Sequence, residues 1–163
     1  LFAGHDTTRS LLAFGAWLLL KNPDQLELLR TSPELIPSAC EEILRFEPSV
    51  FGSLRLPSED VEIEGVIFPE GEPVHVSLLA ACRDPDRWDE PDRFDITRDV
   101  QRHLGFGAGT HFCLGAALAR MEGQEVFSRM TKINWSSLSG PEPQFEPFAS
   151  IRRIDKLIVT MSE

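Results

Sequence analysis

The chain opens on an apolar run that is long enough for one helix. Leucine, alanine, phenylalanine and tryptophan fill most of residues 1–20, and the polar positions are confined to the first half of the run. The pattern predicts a helix that is buried on most of its surface. His5, Asp6 and Arg9 lie inside the run, and charged side chains are costly in lipid. The run therefore favours a helix inside a protein over a membrane span.

Two further helices are predicted from their start signals. Asn22 and Pro23 combine a helix-capping residue with proline at the first helical position, which predicts a helix to about Arg30. Ser32-Pro33 repeats the signal before SACEEILRF, so a third helix is expected to end at Phe46. A fourth helix is predicted over 114–130, with an apolar face at four positions: Leu114, Ala117, Leu118 and Met121.

Short strands are predicted between and after these helices. The segments VEIEGVIF (61–68) and PVHVS (73–77) alternate β-branched and polar residues and are separated by the turn PEGE. KINWSSL (132–138) and DKLIVTM (155–161) are predicted strands near the end, and the Pro- and Asp-rich stretch 83–99 is predicted coil. Because helices and small sheets are segregated along the chain, the predicted class is α+β, mainly α.

Composition narrows the function classes. Hydrophobic residues make up 42% and charged residues 26% of the 163 residues, as in soluble globular proteins. The net charge of −10 argues against a general nucleic-acid or anionic-membrane binder. Cys40, Cys82 and Cys113 form no C-x-x-C pair, so neither a zinc knuckle nor a disulfide framework is indicated. A reducing, cytoplasmic setting is expected.

Cys113 is the residue with the most informative surroundings. It lies between the glycine-rich segment HLGFGAGTHF and the predicted start of a helix, where backbone N–H groups and the helix dipole favour a thiolate. The glycines let the backbone approach a large flat group, against which Phe106 could pack. The alternatives are an inert core thiol, a zinc site with His103 and His111, or a Cys–His nucleophile. A G-x-G-x-x-G nucleotide loop is excluded by Phe112.

The segment around Cys113 resembles the haem-binding signature of the cytochrome P450 monooxygenases, F-x-x-G-x-x-x-C-x-G. The match is carried by Phe106, Gly109, Cys113 and Gly115, with Gly107 inside the same loop. The resemblance implies that the Cys113 thiolate is the proximal ligand of iron in haem b. The other four residues would shape the loop at the cofactor.

A second match is AGHDTT, which resembles the oxygen-binding part of the family's central helix. The resemblance implies that Asp6 and Thr7 relay protons, while Ala3 and Gly4 leave room for O₂ at the haem. The alternative is a helix in which the threonine bonds back to a carbonyl four residues earlier.

A third match is the E-x-x-R pair formed by Glu42 and Arg45. Taken alone, such a pair is an ordinary surface ion pair. The resemblance implies a structural role instead, in which Arg93 of PDRF joins the pair and holds the coil before the haem loop.

The same resemblance implies further contacts. Arg55 and His111 would bind the haem propionates, and His103 would approach the porphyrin edge. Substrate contacts are expected from Val50 to Leu54, including Phe51, and from the tail near Phe148 and Ala149.

The matches span essentially the whole chain and resemble the soluble bacterial members. They imply that residues 1–163 are the C-terminal, haem-ligating portion of one larger domain, because the family's N-terminal helices are not matched. The implied activity is hydroxylation or epoxidation of an apolar small molecule with O₂. The alternatives are a haem-thiolate peroxygenase or isomerase, or a truncated fragment without haem.

The implied electron donor is a ferredoxin with its NAD(P)H-dependent reductase. Between Arg93 and Lys132 the chain has six Lys or Arg against four Asp or Glu, although the whole chain is acidic. A locally basic face would suit the docking of a small acidic protein. No nucleic acid or membrane partner is expected.

Overall fold

The computed structural model describes residues 2–100, 102–139, 143–144 and 150–161. Five α-helices lie within them: α1 (Phe2–Lys21), α2 (Pro23–Thr31), α3 (Ile36–Phe46), α4 (Leu78–Ala81) and α5 (Ala116–Met130). The strands are β1 (Gly52–Arg55), β2 (Val61–Ile63), β3 (Val66–Phe68), β4 (Val74–Ser77), β5 (Trp135–Leu138) and β6 (Val159–Met161). They pair antiparallel as β1–β4, β2–β3 and β5–β6. The α+β, mainly helical class is confirmed.

The core forms where α1, α3 and α5 pack together. Two glycines allow the close approach of these helices. A Cβ added at Gly15 would lie 2.2 Å from the ring of Phe127, and one added at Gly123 would lie 2.6 Å from the sulfur of Cys40. The middle of α5 is thereby held against α1 and α3, which fixes where the glycine-rich loop before it must end. None of the helices described reaches the length and apolarity needed to cross a membrane.

The strand predicted over 61–68 is wrong as a single element. It breaks at Glu64 and Gly65, which turn with φ values of 52° and 81° and return the chain as β3. The prediction also missed β1, which pairs with β4 from Gly52 opposite Ser77 to Arg55 opposite Val74.

The predicted apolar face of α5 is not its core face. The buried residues are Ala116, Gly123 and Phe127. In contrast, Leu114 is fully exposed, and Leu118 and Met121 are more than half exposed. Two apolar faces therefore share this helix. One packs on α1 and α3, and the other forms an open stripe that begins next to Cys113.

Candidate functional site

The cysteine loop folds back on itself and presents its thiol outwards. The Cys113 N–H donates to the carbonyl of Phe106 at 2.9 Å, and the Gly107 N–H donates to the carbonyl of Leu104 at 2.8 Å. Gly107 and Gly109 have φ values of 72° and 66°, in the left-handed region that favours glycine. Cys113 follows a short 3₁₀ turn, is exposed, and lies two residues before Gly115, the N-cap of α5.

Two of the alternatives for this cysteine do not fit. An inert core thiol would be buried, whereas Cys113 is exposed and Cys40 and Cys82 are the buried cysteines. Among the described residues no group of three His, Cys, Asp or Glu side chains could hold a metal ion, which leaves no zinc site with His103 and His111.

The surroundings of the thiol suit a flat apolar group. Phe112 is half exposed, and the open stripe of Leu114, Leu118 and Met121 continues from the loop along α5. A soft thiolate beside such a surface is the donor that binds haem iron in thiolate-ligated haem proteins. The residues present therefore fit a haem group with one cysteine ligand.

The two residues expected at the haem propionates are both accessible. Arg55 ends β1 and is exposed, and its guanidinium donates to the carbonyl of Leu54 at 2.9 Å and to the hydroxyl of Ser53. His111 is exposed in the 3₁₀ turn Gly109–His111. Both can donate hydrogen bonds to a carboxylate.

The first turns of α1 carry the expected acid–alcohol pair. The Thr7 hydroxyl donates to the carbonyl of Ala3 at 2.5 Å, and the Asp6 carboxylate lies 3.8 Å from the guanidinium of Arg153. The alternative arrangement, in which the threonine bonds back to a carbonyl four residues earlier, is therefore observed. The Thr7 oxygen can still accept a hydrogen bond from a proton donor. A Cβ added at Gly4 would meet nothing within 4 Å, so the space beside it is open.

The E-x-x-R pair is buried rather than a surface pair. The side chains of Glu42 and Arg45 have no exposed area and share two hydrogen bonds of 2.7 and 2.8 Å. The remaining guanidinium nitrogen donates to the carbonyls of Cys82 and Pro91 at 2.8 and 3.0 Å. Glu42 also accepts the N–H of Asp95 at 3.0 Å. The pair therefore holds the coil that leads to the cysteine loop.

The prediction that the Arg93 side chain joins this pair is wrong. Its side chain is 58% exposed and pairs with Glu90 and Asp95 at 3.0 and 3.6 Å. Only its carbonyl faces inwards, where it accepts from Arg45 at 3.4 Å. Arg98 takes the expected place, with 14% of its side chain exposed and its Nε 3.5 Å from Glu42.

His103 does not lie at an open edge of the site. Its side chain is 2% exposed, and Nε2 lies 3.0 Å from a carboxylate oxygen of Glu41. Because Nδ1 accepts the N–H of Gly105 at 3.0 Å, the ring proton is on Nε2 and is donated to Glu41. His103 is therefore buried between the cysteine loop and α3.

Glu41 and Arg120 belong to this arrangement and were missed in the sequence. Arg120 donates to both oxygens of Glu41, at 2.6 and 2.9 Å. Burial opposes the ionisation of Glu41, but the hydrogen bonds from His103 and Arg120 outweigh it and lower its pKa to about 2. The carboxylate is therefore ionised over the whole physiological range.

The two segments expected to contact substrate, the one after α3 and the tail, touch each other within the described residues. Val50 bridges Ile151, and the Phe51 N–H donates to the carbonyl of Ser150 at 3.1 Å. The Phe51 ring lies 5.8 Å from the ring of His75. Phe148 and Ala149 lie outside the described residues.

Comparison with known proteins gives a consistent result. Residues 1–155 match the family described as Cytochrome P450. The chain is 51% identical over 131 residues to Cytochrome P450 107B1 of Saccharopolyspora erythraea, covering 80% of this chain and 32% of that protein. It is 50% identical over 131 residues to Vitamin D(3) 25-hydroxylase of Pseudonocardia autotrophica, with the same two coverages.

A solved structure agrees with the sequence relatives. The crystal structure of CalO2 superposes with a TM-score of 0.95 at 36% identity, covering 99% of this chain and 41% of that one. The chain thus spans about a third to two-fifths of the length of the proteins it matches.

Proposed function

The chain belongs to the cytochrome P450 family, and on that premise we propose that it is the haem-ligating, C-terminal portion of a monooxygenase domain. The observation that carries the proposal is the exposed Cys113 at the start of α5, hydrogen-bonded to Phe106 behind it and flanked by an open apolar stripe. Relatives named as hydroxylases support the reaction class.

Cys113 would hold haem as its thiolate, with Arg55 and His111 binding the propionates. The group is haem b, because the chain has no C-x-x-C-H sequence for covalent attachment. When bound, it supplies the chemistry RH + O₂ + 2 e⁻ + 2 H⁺ → ROH + H₂O. All three cysteines are free thiols, which fits a cytoplasmic protein.

The reduced CO complex of the haem-loaded protein tests the proposal. A cysteine thiolate as ligand gives a strongly red-shifted Soret band, whereas histidine ligation does not. The protein should be expressed with whatever sequence flanks this chain in its gene. A band at the ordinary histidine-haem position, or failure to bind haem, would refute the proposal.

Asp6 and Thr7 would hold and pass protons into the open space beside Gly4 at the start of α1. The hydrogen bond to Ala3 fixes the rotamer of Thr7, and the Arg153 guanidinium lies 3.8 Å from the Asp6 carboxylate that would pass the proton on. Ser49 donates to the carbonyl of Thr7 at 2.8 Å and anchors this turn to the segment after α3. The relay thus sits on a rigid part of the chain.

Replacing Thr7 by alanine is expected to uncouple NAD(P)H consumption from product formation. Product per NAD(P)H should fall by about tenfold, less than the full effect of a positioned proton donor because water can replace the hydroxyl. Hydrogen peroxide should rise to match. Thr7→Ser keeps the hydroxyl and should restore most of the coupling, and unchanged coupling in Thr7→Ala would count against the relay.

The substrate is an apolar small molecule, contacted from Val50 to Leu54 and from the tail beside it. Val50 and Phe51 are half-buried and the tail joins them through Ile151, so the two segments form one wall. We propose Phe148 and Ala149, in the same tail, as further substrate contacts.

Electrons would come from an acidic ferredoxin that docks near Arg102. Most cations between Arg93 and Lys132 are already engaged, since Arg120 is bound to Glu41 and Arg129 to Glu125. Arg102 is exposed and lies beside the base of the cysteine loop. Reversal of Arg120 would break the contact with Glu41, so Arg102 is the residue to test.

The rate of ferredoxin-dependent reduction should fall about tenfold in Arg102→Glu at low ionic strength, because steering by opposite charges is lost. High salt should reduce the difference in this reduction rate between Arg102→Glu and the wild type. Lys132→Glu is the matched control, since it reverses an exposed cation at the opposite end of α5. A reduction rate that neither Arg102→Glu nor salt changes would place the docking surface elsewhere.

A further inference from the structure

Glu41 and Glu42 are neighbours on α3, but their carboxylates serve different parts of the chain. Glu42 faces the coil before the cysteine loop, through Arg45 and the Asp95 N–H. Glu41 faces the cysteine loop and α5, through His103 and Arg120. Successive residues of a helix are about 100° apart around its axis, so one helix can support two separate networks.

The Glu41 network contains one residue before the cysteine and one after it. His103 precedes Cys113 by ten positions, and Arg120 follows it by seven. Glu41 accepts from both, so a single carboxylate joins the two ends of the loop. A Cβ added at Gly105 would lie 2.6 Å from the carbonyl of Leu44, which shows how closely the loop is pressed onto α3.

Both partners of Glu41 also lie against the ring of Phe106. The guanidinium carbon of Arg120 is 4.6 Å from the centroid of this ring, at cation–π distance. The imidazole of His103 is 5.8 Å away, centroid to centroid. The carbonyl of Phe106 is the acceptor for the Cys113 N–H. A continuous set of contacts therefore runs from Glu41 to the backbone of the cysteine.

We propose that Glu41 is a positioning residue for the Cys113 thiolate, acting through His103, Arg120 and Phe106. The inference rests on the proposed function, because a thiolate that ligates haem iron must hold one orientation. Partners outside the ligand shell of a metal orient the ligands in this way. Glu41 does not touch the thiol, and its role is to keep the loop from shifting.

The test uses the haem-loaded protein with Glu41→Gln, which keeps the size of the side chain and removes its charge. Amide hydrogen exchange at Cys113 should accelerate about tenfold. In the reduced CO complex, the ratio of shorter-wavelength to red-shifted Soret absorbance should also rise about tenfold. Tenfold is about the smallest effect usual for loss of a group that supports a metal ligand. Exchange in α2 should stay at the wild-type rate. A general loss of stability would raise it in both places.

Glu125→Gln is the matched control, because Glu125 forms an exposed ion pair with Arg129 on α5, the helix that also carries Arg120. It should change neither the exchange nor the spectrum. Glu41→Asp, which keeps the charge but shortens the reach, should give an intermediate result and replaces Glu41→Gln if that variant does not fold. The double variant with Arg120→Gln should be less impaired than the sum of the two single variants, since both single changes break the contact between Glu41 and Arg120.

Wild-type exchange at Cys113 and a wild-type spectrum in Glu41→Gln would overturn the inference. So would a rise in exchange that is as large in α2 as in the loop. Absence of the red-shifted band from the wild-type protein would instead refute the proposed function. The two failures are therefore distinguishable in one set of samples.

Discussion

Replacing Glu42 by alanine is expected to lower the free energy of unfolding by about 3–5 kcal/mol, the usual cost of removing one partner from a buried ion pair. Arg45 would keep a fully buried charge without its carboxylate partner, and the Asp95 N–H would lose its acceptor. Unfolding by urea, followed by circular dichroism of the natural protein, measures the change. Haem content should fall with it, because the coil before the cysteine loop is no longer held.

Glu27→Ala provides the matched control for this prediction. Glu27 and Arg30 repeat the E-x-x-R spacing on α2, but Glu27 is 67% exposed and the ion pair is 3.7 Å long. Removing an exposed pair of this kind costs less than about 1 kcal/mol. Equal stability losses in Glu27→Ala and Glu42→Ala would show that burial of the Glu42 pair contributes nothing. A soluble and haem-loaded Glu42→Ala variant of wild-type stability would contradict the prediction outright.

The helices were predictable because their signals are local. Pro23 is the first residue of α2 and Pro33 the first residue of the 3₁₀ turn that leads into α3, although the side chains of Asn22 and Ser32 make no capping hydrogen bond. The turn between β2 and β3 was missed because Glu64 adopts a positive φ, a conformation that glycine and asparagine usually provide. Gly65, the next residue, has a φ of 81° and is the signal that the sequence offers for this turn.

The cysteine loop was predictable, whereas the network that supports it was not. Cys113 and its glycines lie within one short segment, so a sequence motif captures them. Glu41 is 79 positions from Arg120 and 62 from His103, and only the packing of α3 on α5 brings them together. Spacing along the chain cannot reveal such contacts.

The choice between Arg93 and Arg98 shows the same limit. The motif PDRF draws attention to Arg93, but the coil turns its side chain to solvent. Arg98 returns towards Glu42 five residues later. The direction of a side chain in an irregular coil depends on hydrogen bonds such as that from the Asp95 N–H to Glu42. Those bonds exist only in the folded chain.

Cys113→His is expected to abolish the red-shifted Soret band of the reduced CO complex completely, because imidazole cannot replace the electron donation of a thiolate. Cys82→Ala is the control. The Cys82 side chain is buried, and its contact with Arg45 is made by the backbone carbonyl, which alanine keeps. Alanine removes only the weak hydrogen bonds that the thiol accepts from the backbone of Leu104 and Gly105. The band should therefore persist in Cys82→Ala at wild-type intensity per haem. A red-shifted band that survives in Cys113→His would show that another group ligates the iron. If Cys82→Ala lost the band and Cys113→His kept it, the ligand would be Cys82 and the exposed thiol at the start of α5 would have no part in the site.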